Sequence, residues 1–61
     1  MNVEEVYAIG LAVAKENREE FLRAEIIGPR EVYLFYLRGM SDMRTRRLVP
    51  STFEALKKEY L

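Results

Sequence analysis

The fold class depends on one apolar stretch of the chain, Val32-Tyr33-Leu34-Phe35-Tyr36-Leu37. Because every position in it is aliphatic or aromatic, hydrophobic periodicity cannot separate a buried helix from a buried strand. Its β-branched and aromatic composition favours a strand. Its flanks favour a helix, with Pro29 before the start, Glu31 in the first turn, Arg38 in the last turn and Gly39 just beyond the end. We predict a helix here and keep the strand as the alternative.

The N-terminal segment carries the clearest helical pattern of the chain. Asn2 can cap a helix, and Glu5 follows three residues later, as in a capping box. Apolar residues then recur with a helical period, which predicts one amphipathic helix over residues 3–25. The alternative is a break at Asn17, where Asn17 and Glu20 can form a second capping box.

A short basic helix is predicted over residues 42–48. Ser41 or Asp42 can cap its start. Pro50 ends it, because the residue before a proline avoids the α region. This segment contains most of the arginines in the second half of the chain.

A final amphipathic helix is predicted over residues 52–60, where Ser51 and Glu54 form a capping box at its start. The expected fold is therefore all-α. It is a small domain of three to four helices with a long N-terminal helix, and residues 1–61 form one domain.

Length and composition predict self-association. A chain of 61 residues buries only about 60% of the surface that its unfolded form exposes, so its stability is marginal. It contains no Cys for disulfides, and 49% of its residues are hydrophobic. We expect a homodimer or a higher oligomer. Its interface is expected to use apolar residues of the first helix and of the central stretch: Val6, Ile9, Val13, Tyr33, Phe35 and Tyr36.

The sequence also predicts a cytoplasmic protein without a membrane segment. Glu4 and Glu5 stand where a signal peptide has basic residues. The longest uncharged run, residues 6–14, is far too short to cross a bilayer.

Catalysis is not expected from this composition. The absence of His removes the commonest general base, and the absence of both His and Cys removes the commonest transition-metal ligands. The aliphatic hydroxyl groups stand where helix caps or turns explain them: Ser41, Thr45, Ser51 and Thr52. The three glycines are scattered and form no phosphate-binding loop. We therefore expect a non-enzymatic protein with no cofactor and no metal.

The clustered arginines Arg44, Arg46 and Arg47 are the residues that point most directly to a function. Arginines grouped near the start of a helix can contact phosphates, which gives affinity without sequence specificity. The alternative is a solvated surface on which these arginines pair with Asp42 or Glu54. Net charge does not decide between the two, because ten basic residues balance ten acidic ones.

One motif pattern runs through residues 29–58. Pro29-Arg30-Glu31 precedes the apolar stretch, and Arg38-Gly39-Met40-Ser41 follows it. Together they resemble the opening of the helix-turn-helix found in sigma-factor region 4 and in LuxR-type regulators. The resemblance implies that the last helix is a recognition helix that enters the major groove. It implies DNA contacts from Ser51, Thr52, Lys57 and Lys58, and a first helix that serves to dimerise.

These observations predict a small non-enzymatic DNA-binding regulatory or accessory protein that acts as a homo-oligomer. Its partners would be a second copy and duplex DNA, with phosphate contacts from the arginine cluster and from Lys57 and Lys58. The alternative is a protein-binding adaptor or inhibitor, of the type found in phages and mobile elements, that docks on a protein partner through an apolar helix face.

Overall fold

Two helices and a three-stranded antiparallel sheet make up the chain in the computed structural model, which describes residues 1–61. The elements follow one another as α1 (Val3–Asn17), β1 (Glu20–Gly28), β2 (Glu31–Arg38), β3 (Asp42–Leu48) and α2 (Pro50–Tyr60). The strand order β1-β2-β3 makes β2 the central strand and leaves β1 and β3 as edges. The fold is therefore α+β, and the predicted all-α domain of three to four helices is wrong.

Strand β2 contains the apolar stretch for which a helix was predicted, so the strand alternative is the correct one. Val32, Leu34 and Tyr36 are buried, whereas the alternate residues of the strand are only partly buried. This is the period of two that a strand requires. It is hidden in the sequence because both faces of the strand are apolar. Gly39, whose φ is 70°, supports the β2–β3 turn instead of ending a helix.

The predicted basic helix over residues 42–48 is also wrong, because this segment is strand β3. It pairs with β2 along its whole length, from Leu48 opposite Val32 to Asp42 opposite Arg38. Only Leu48 of β3 is buried, so the strand shows no alternation of apolar and polar residues. Its conformation is set by pairing with β2 and not by its own hydrophobic pattern.

The N-terminal helix begins where the sequence predicts it but ends earlier. The Asn2 side chain accepts hydrogen bonds from the backbone N–H groups of Glu4 and Glu5. The helix ends at Asn17, and Arg18 then adopts a left-handed conformation with φ 56°. The predicted single helix over residues 3–25 is therefore wrong. The alternative break at Asn17 is correct, but strand β1 follows it instead of a second helix.

The final helix is confirmed as α2, although it begins at Pro50, two residues before the predicted start. Its start is stabilised by Thr52, not by the predicted Ser51–Glu54 box. The Thr52 hydroxyl accepts from the Val49 N–H and donates to the Val49 carbonyl, each at 2.9 Å.

Both helices pack on the same face of the sheet. The core consists of residues from all elements except β1: Val6, Ile9, Val13, Ala14, Val32, Leu34, Tyr36, Leu48 and Phe53. Strand β1 adds the partly buried Phe21 and Ala24. The opposite face of the sheet carries no helix and is called the open face below.

Gly10 lies where α1 crosses β1, against the ring of Phe21. A Cβ at Gly10 would lie 2.7 Å from Cζ of Phe21. The Phe21 ring is confined between Tyr7 and Tyr36, with ring centroids 5.6 and 5.5 Å away. We expect Gly10→Ala to lower the free energy of unfolding by about 1–2 kcal/mol, because overpacking outweighs the roughly 1 kcal/mol that Ala gains over Gly in a helix.

Chemical denaturation of Gly10→Ala against Gly28→Ala measures this effect. A Cβ at Gly28 meets nothing within 4 Å, so that variant is expected to match the wild-type protein. Equal stability of both variants would show that the Phe21 ring moves aside freely.

Candidate anion-binding pocket

An arginine-lined cleft lies on the helix side of the sheet, near the end of the β2–β3 hairpin. Its volume is about 260 Å³. Its walls come from the end of α1 and from the two strands of the hairpin, and its lining residues are Asn17, Glu19, Tyr36, Arg38, Arg44, Thr45 and Arg46. We call it the arginine cleft.

The strand register brings the three arginines together. Arg44 pairs with Tyr36, and Arg46 pairs with Leu34, so both arginines share the helix-facing side of the sheet with those two buried residues. Arg38 lies two residues beyond Tyr36 on β2 and therefore has the same orientation. All three arginines are exposed, which places their guanidinium groups at the mouth of the cleft.

Tyr36 forms the buried wall of the arginine cleft. Its side chain is 2% exposed, and its hydroxyl is the only buried side-chain polar atom without a hydrogen-bond partner. An unmade buried hydrogen bond costs about 1–3 kcal/mol. Burial raises the pKa of Tyr36 to about 12, so the hydroxyl keeps its proton at neutral pH. It therefore keeps a proton to donate, but the oxygen has almost no surface open to solvent, so a ligand oxygen reaches it only if a neighbouring side chain moves.

The positive charge of the arginine cleft is only partly neutralised. Arg44 Nε lies 3.4 Å from Oε2 of Glu19, a side chain that is 8% exposed. Asp42 approaches the same guanidinium at 3.6 Å. Arg38 and Arg46 take part in no ion pair. The cleft thus offers two free cationic side chains and a third that acidic neighbours hold in place.

A side-chain contact between the helices fixes the α1 end of the cleft. The Tyr60 hydroxyl on α2 donates to Oε2 of Glu16 at 2.5 Å. This hydrogen bond to the carboxylate raises the pKa of Tyr60 to about 12, because it stabilises the protonated phenol. It connects the last turns of the two helices next to Asn17.

Only Arg44 and Arg46 of the predicted DNA-binding residues lie in the arginine cleft. Arg47 projects from the open face, where its Nε donates to Oε2 of Glu31 at 2.6 Å. That bond, together with one from the Tyr33 hydroxyl, lowers the pKa of the Glu31 carboxyl. Arg38 was not predicted. Its place in the cleft follows from the strand register, which could not be considered while residues 32–37 and 42–48 were predicted as helices.

The other four predicted DNA-binding residues lie on α2, away from the cleft. Thr52 caps that helix, as described above. Lys57 Nζ lies 3.4 Å from Oε2 of Glu5 and connects α2 to α1. Ser51 and Lys58 are exposed.

The predicted oligomer interface is divided between the core and the open face. Val6, Ile9, Val13 and Tyr36 are each at most 2% exposed within a single chain. A second copy therefore cannot contact them while the chain stays folded. Tyr33 and Phe35 lie on the open face, partly exposed. Self-association stays a prediction, and these two residues are the ones of the six that it can use.

Two further features of the structure concern membranes and metals. Neither helix combines the length and the apolar character needed to cross a bilayer. No group of three or more acidic side chains is arranged to hold a metal ion.

Comparison with known proteins leaves the resemblance of residues 29–58 to a helix-turn-helix untested. The part of the chain that carries it forms β2, β3 and α2. No protein-family model, curated protein or solved structure matches the chain.

Proposed function

We propose that this protein binds nucleic acid and that the arginine cleft holds one phosphate of the bound strand. The proposal rests on one observation: Tyr36, whose buried hydroxyl has no partner in the protein, lines a cleft together with three arginines. Guanidinium groups match the geometry of phosphate oxygens and donate to two of them at once. The protonated hydroxyl of Tyr36 supplies one more donor from the buried wall of the cleft.

A polyanion fits this site because Arg46 extends the basic surface beyond the cleft. Arg46 also borders a shallower groove between β3 and α2, together with Arg47 and Thr52. A strand whose phosphate lies in the cleft can therefore run past Arg46 into this groove, with phosphate contacts from the cleft arginines. Contacts of this kind supply sequence-independent affinity, as in non-specific binding of DNA. Duplex DNA is our first candidate ligand.

The proposed activity is binding without chemistry. Arginines and a tyrosine of pKa about 12 are hydrogen-bond donors at neutral pH, and neither accepts a proton as a general base does. A regulatory or accessory protein in the cytoplasm, as predicted from the sequence, is consistent with such a site.

The salt dependence of binding tests this proposal. We expect the wild-type protein to bind a labelled DNA duplex at about 50 mM salt and to lose affinity steeply as salt rises. Arg46→Ala is expected to weaken binding threefold to tenfold, as roughly 1 kcal/mol implies, and to reduce the salt slope by about one. Fluorescence anisotropy at several salt concentrations measures both quantities.

Arg30→Ala is the matched control for that experiment. It removes the same charge from the β1–β2 turn, at the opposite end of β2 from the cleft, and Arg30 takes part in no ion pair. Equal losses in the two variants would show that net charge, not the cleft, sets affinity. Absence of binding to duplex DNA, single-stranded DNA and RNA at about 50 mM salt would end the nucleic-acid proposal.

A second candidate function is protein binding as an adaptor or inhibitor. Val3, Tyr7 and Leu11 recur every four residues on α1 and are 50%, 40% and 60% exposed. Such spacing forms one apolar stripe on a helix surface, which fits an apolar groove of a protein partner. This surface is separate from the arginine cleft, so Leu11→Asp is expected to abolish partner binding and to leave binding of DNA unchanged.

A further inference from the structure

The open face of the sheet has the composition of an interface. Three partly buried side chains of β2 form its centre: Tyr33, Phe35 and Leu37. The residues that pair with them continue the face on both sides, with Glu20, Arg23 and Glu25 on β1 and Met43, Thr45 and Arg47 on β3. Met43 is 55% exposed. No element of the chain covers this face.

Charged residues form the rim of the open face, and all of them except Glu20 take part in ion pairs. The Arg23 guanidinium stacks over Phe35, 4.2 Å from the ring centroid, and lies 2.9 Å from Glu25. On the other side, Arg47 contacts Glu31 at 2.6 Å. An apolar centre with a polar rim is typical of protein–protein interfaces.

We propose that a second copy of this chain covers the open face, in a twofold-symmetric dimer whose axis runs along β2. The argument for this occupant is the register of the charges. It does not depend on whether the arginine cleft binds phosphate.

Glu25 and Arg47 lie level with each other on opposite sides of the central strand, since both pair with Tyr33. A twofold rotation about an axis along β2 exchanges the two sides of the sheet and leaves positions along the strand unchanged. Glu25 of one chain then faces the partner's Arg47, and the contact occurs twice. Stacked sheets lie about 10 Å apart, a gap that a Glu and an Arg side chain can span together.

The other aligned twofold arrangement is disfavoured by charge. An axis across the strands at Phe35 would place β1 over β1. Arg23, which pairs with Phe35, would then face the partner's Arg23. Like charges at an interface are costly. Charge complementarity therefore selects the axis along β2, which also brings Phe35 against the partner's Phe35 at the centre.

This arrangement leaves both arginine clefts free. They lie on the helix sides of the two sheets, which face outward in the dimer. Because the rotation keeps the two ends of β2 in place, both clefts occupy the same end of the assembly.

Charge reversal on each side of the contact tests the dimer. Glu25→Arg sets two positive groups against each other in the homodimer, and Arg47→Glu sets two negative groups against each other. Each variant alone is expected to raise the dimer dissociation constant at least tenfold, as measured by sedimentation equilibrium at micromolar protein. An equimolar mixture is expected to recover the wild-type value, because each chain supplies the charge that the other lacks at both contacts.

The double variant Glu25→Arg/Arg47→Glu tests whether the single variants fail to dimerise because they no longer fold. It restores both interchain contacts within a homodimer and is expected to dimerise as the wild-type chain does, with an unchanged far-UV circular dichroism spectrum. A monomeric wild-type chain at micromolar concentration would overturn the proposal. So would single variants that dimerise normally, or a failure of both the mixture and the double variant to recover dimerisation.

Discussion

Leu34→Ala is expected to leave most of the chain unfolded in water at room temperature. Leu34 is 0% exposed and lies on the central strand beneath the two helices. Removing a buried leucine side chain costs about 2–5 kcal/mol, because apolar burial is lost and a cavity is left. A folded chain of this length has a total stability of roughly 3–9 kcal/mol, and small domains lie at the lower end. At the lower end of that range the loss equals or exceeds the whole stability, so the unfolded state becomes the more populated one.

Urea denaturation followed by far-UV circular dichroism measures this loss. Leu11→Ala is the matched control, because it deletes the same atoms from a position on α1 that is 60% exposed. The control is expected to stay within about 0.5 kcal/mol of the wild-type protein. A Leu34→Ala chain as stable as the Leu11→Ala chain would contradict the placement of Leu34 in the core.

The features that sequence analysis predicted correctly depend on local interactions. The start of α1 follows from Asn2, whose side chain reaches backbone N–H groups two and three residues away. The existence of α2 follows from apolar residues at helical spacing over residues 52–60, although the helix begins earlier, with Pro50 in its first turn. In both cases the deciding contacts lie within one turn, so the chain itself displays them.

Strands β1 and β3 were missed, and β2 was kept only as an alternative to a helix, because their pattern depends on other parts of the molecule. Strand β2 is apolar on both faces, since the open face carries Tyr33, Phe35 and Leu37. Strand β1 has register shifts on either side of Arg23 to Ile26, which interrupt any alternation. Strand β3 has a single buried residue. Pairing across the sheet decides these segments, and the one local signal for it is the β-branched and aromatic composition of β2.

The candidate site was recognised in part, for the same reason. Arg44 and Arg46 stand out in the sequence as a basic cluster. Their convergence on Tyr36, and the contribution of Arg38, depend on the register of β2 against β3. The sequence does not predict that the buried hydroxyl of Tyr36 lacks a hydrogen-bond partner.

Tyr36→Phe is expected to stabilise the fold and, at the same time, to weaken phosphate binding. The substitution keeps the ring in the core and deletes a buried hydroxyl that has no partner in the protein. It should raise the free energy of unfolding by about 1 kcal/mol, since unmade buried hydrogen bonds are costly. Binding of DNA should weaken about 10- to 100-fold, because hydrogen bonds to charged groups contribute about 1.5–3 kcal/mol.

The stability gain has a signature at alkaline pH. The pKa of Tyr36 is raised from its usual value of 10.0 to about 12, so the phenol ionises more readily in the unfolded chain. The stability that the protonated Tyr36 phenol has over the ionised phenol is full below pH 10, and it is lost as the pH rises from 10 to about 12. Tyr36→Phe should therefore flatten the alkaline fall in stability, and the part due to Tyr60 should remain, because its pKa is also about 12.

Tyr33→Phe is the control that distinguishes a hydroxyl that contacts a ligand from one that stabilises the fold. Tyr33 lies on the same strand but on the open face, where its hydroxyl donates to Glu31 at 3.1 Å. Loss of the Tyr33 hydroxyl should leave binding of DNA unchanged. It should also bring no gain in stability, because the hydrogen bond to Glu31 is lost with the hydroxyl. If Tyr36→Phe instead lowers stability and keeps full affinity, the Tyr36 hydroxyl stabilises the fold and contacts no ligand. Opposite changes in stability and affinity, confined to Tyr36, are expected only where a buried donor is kept for a partner from outside the chain.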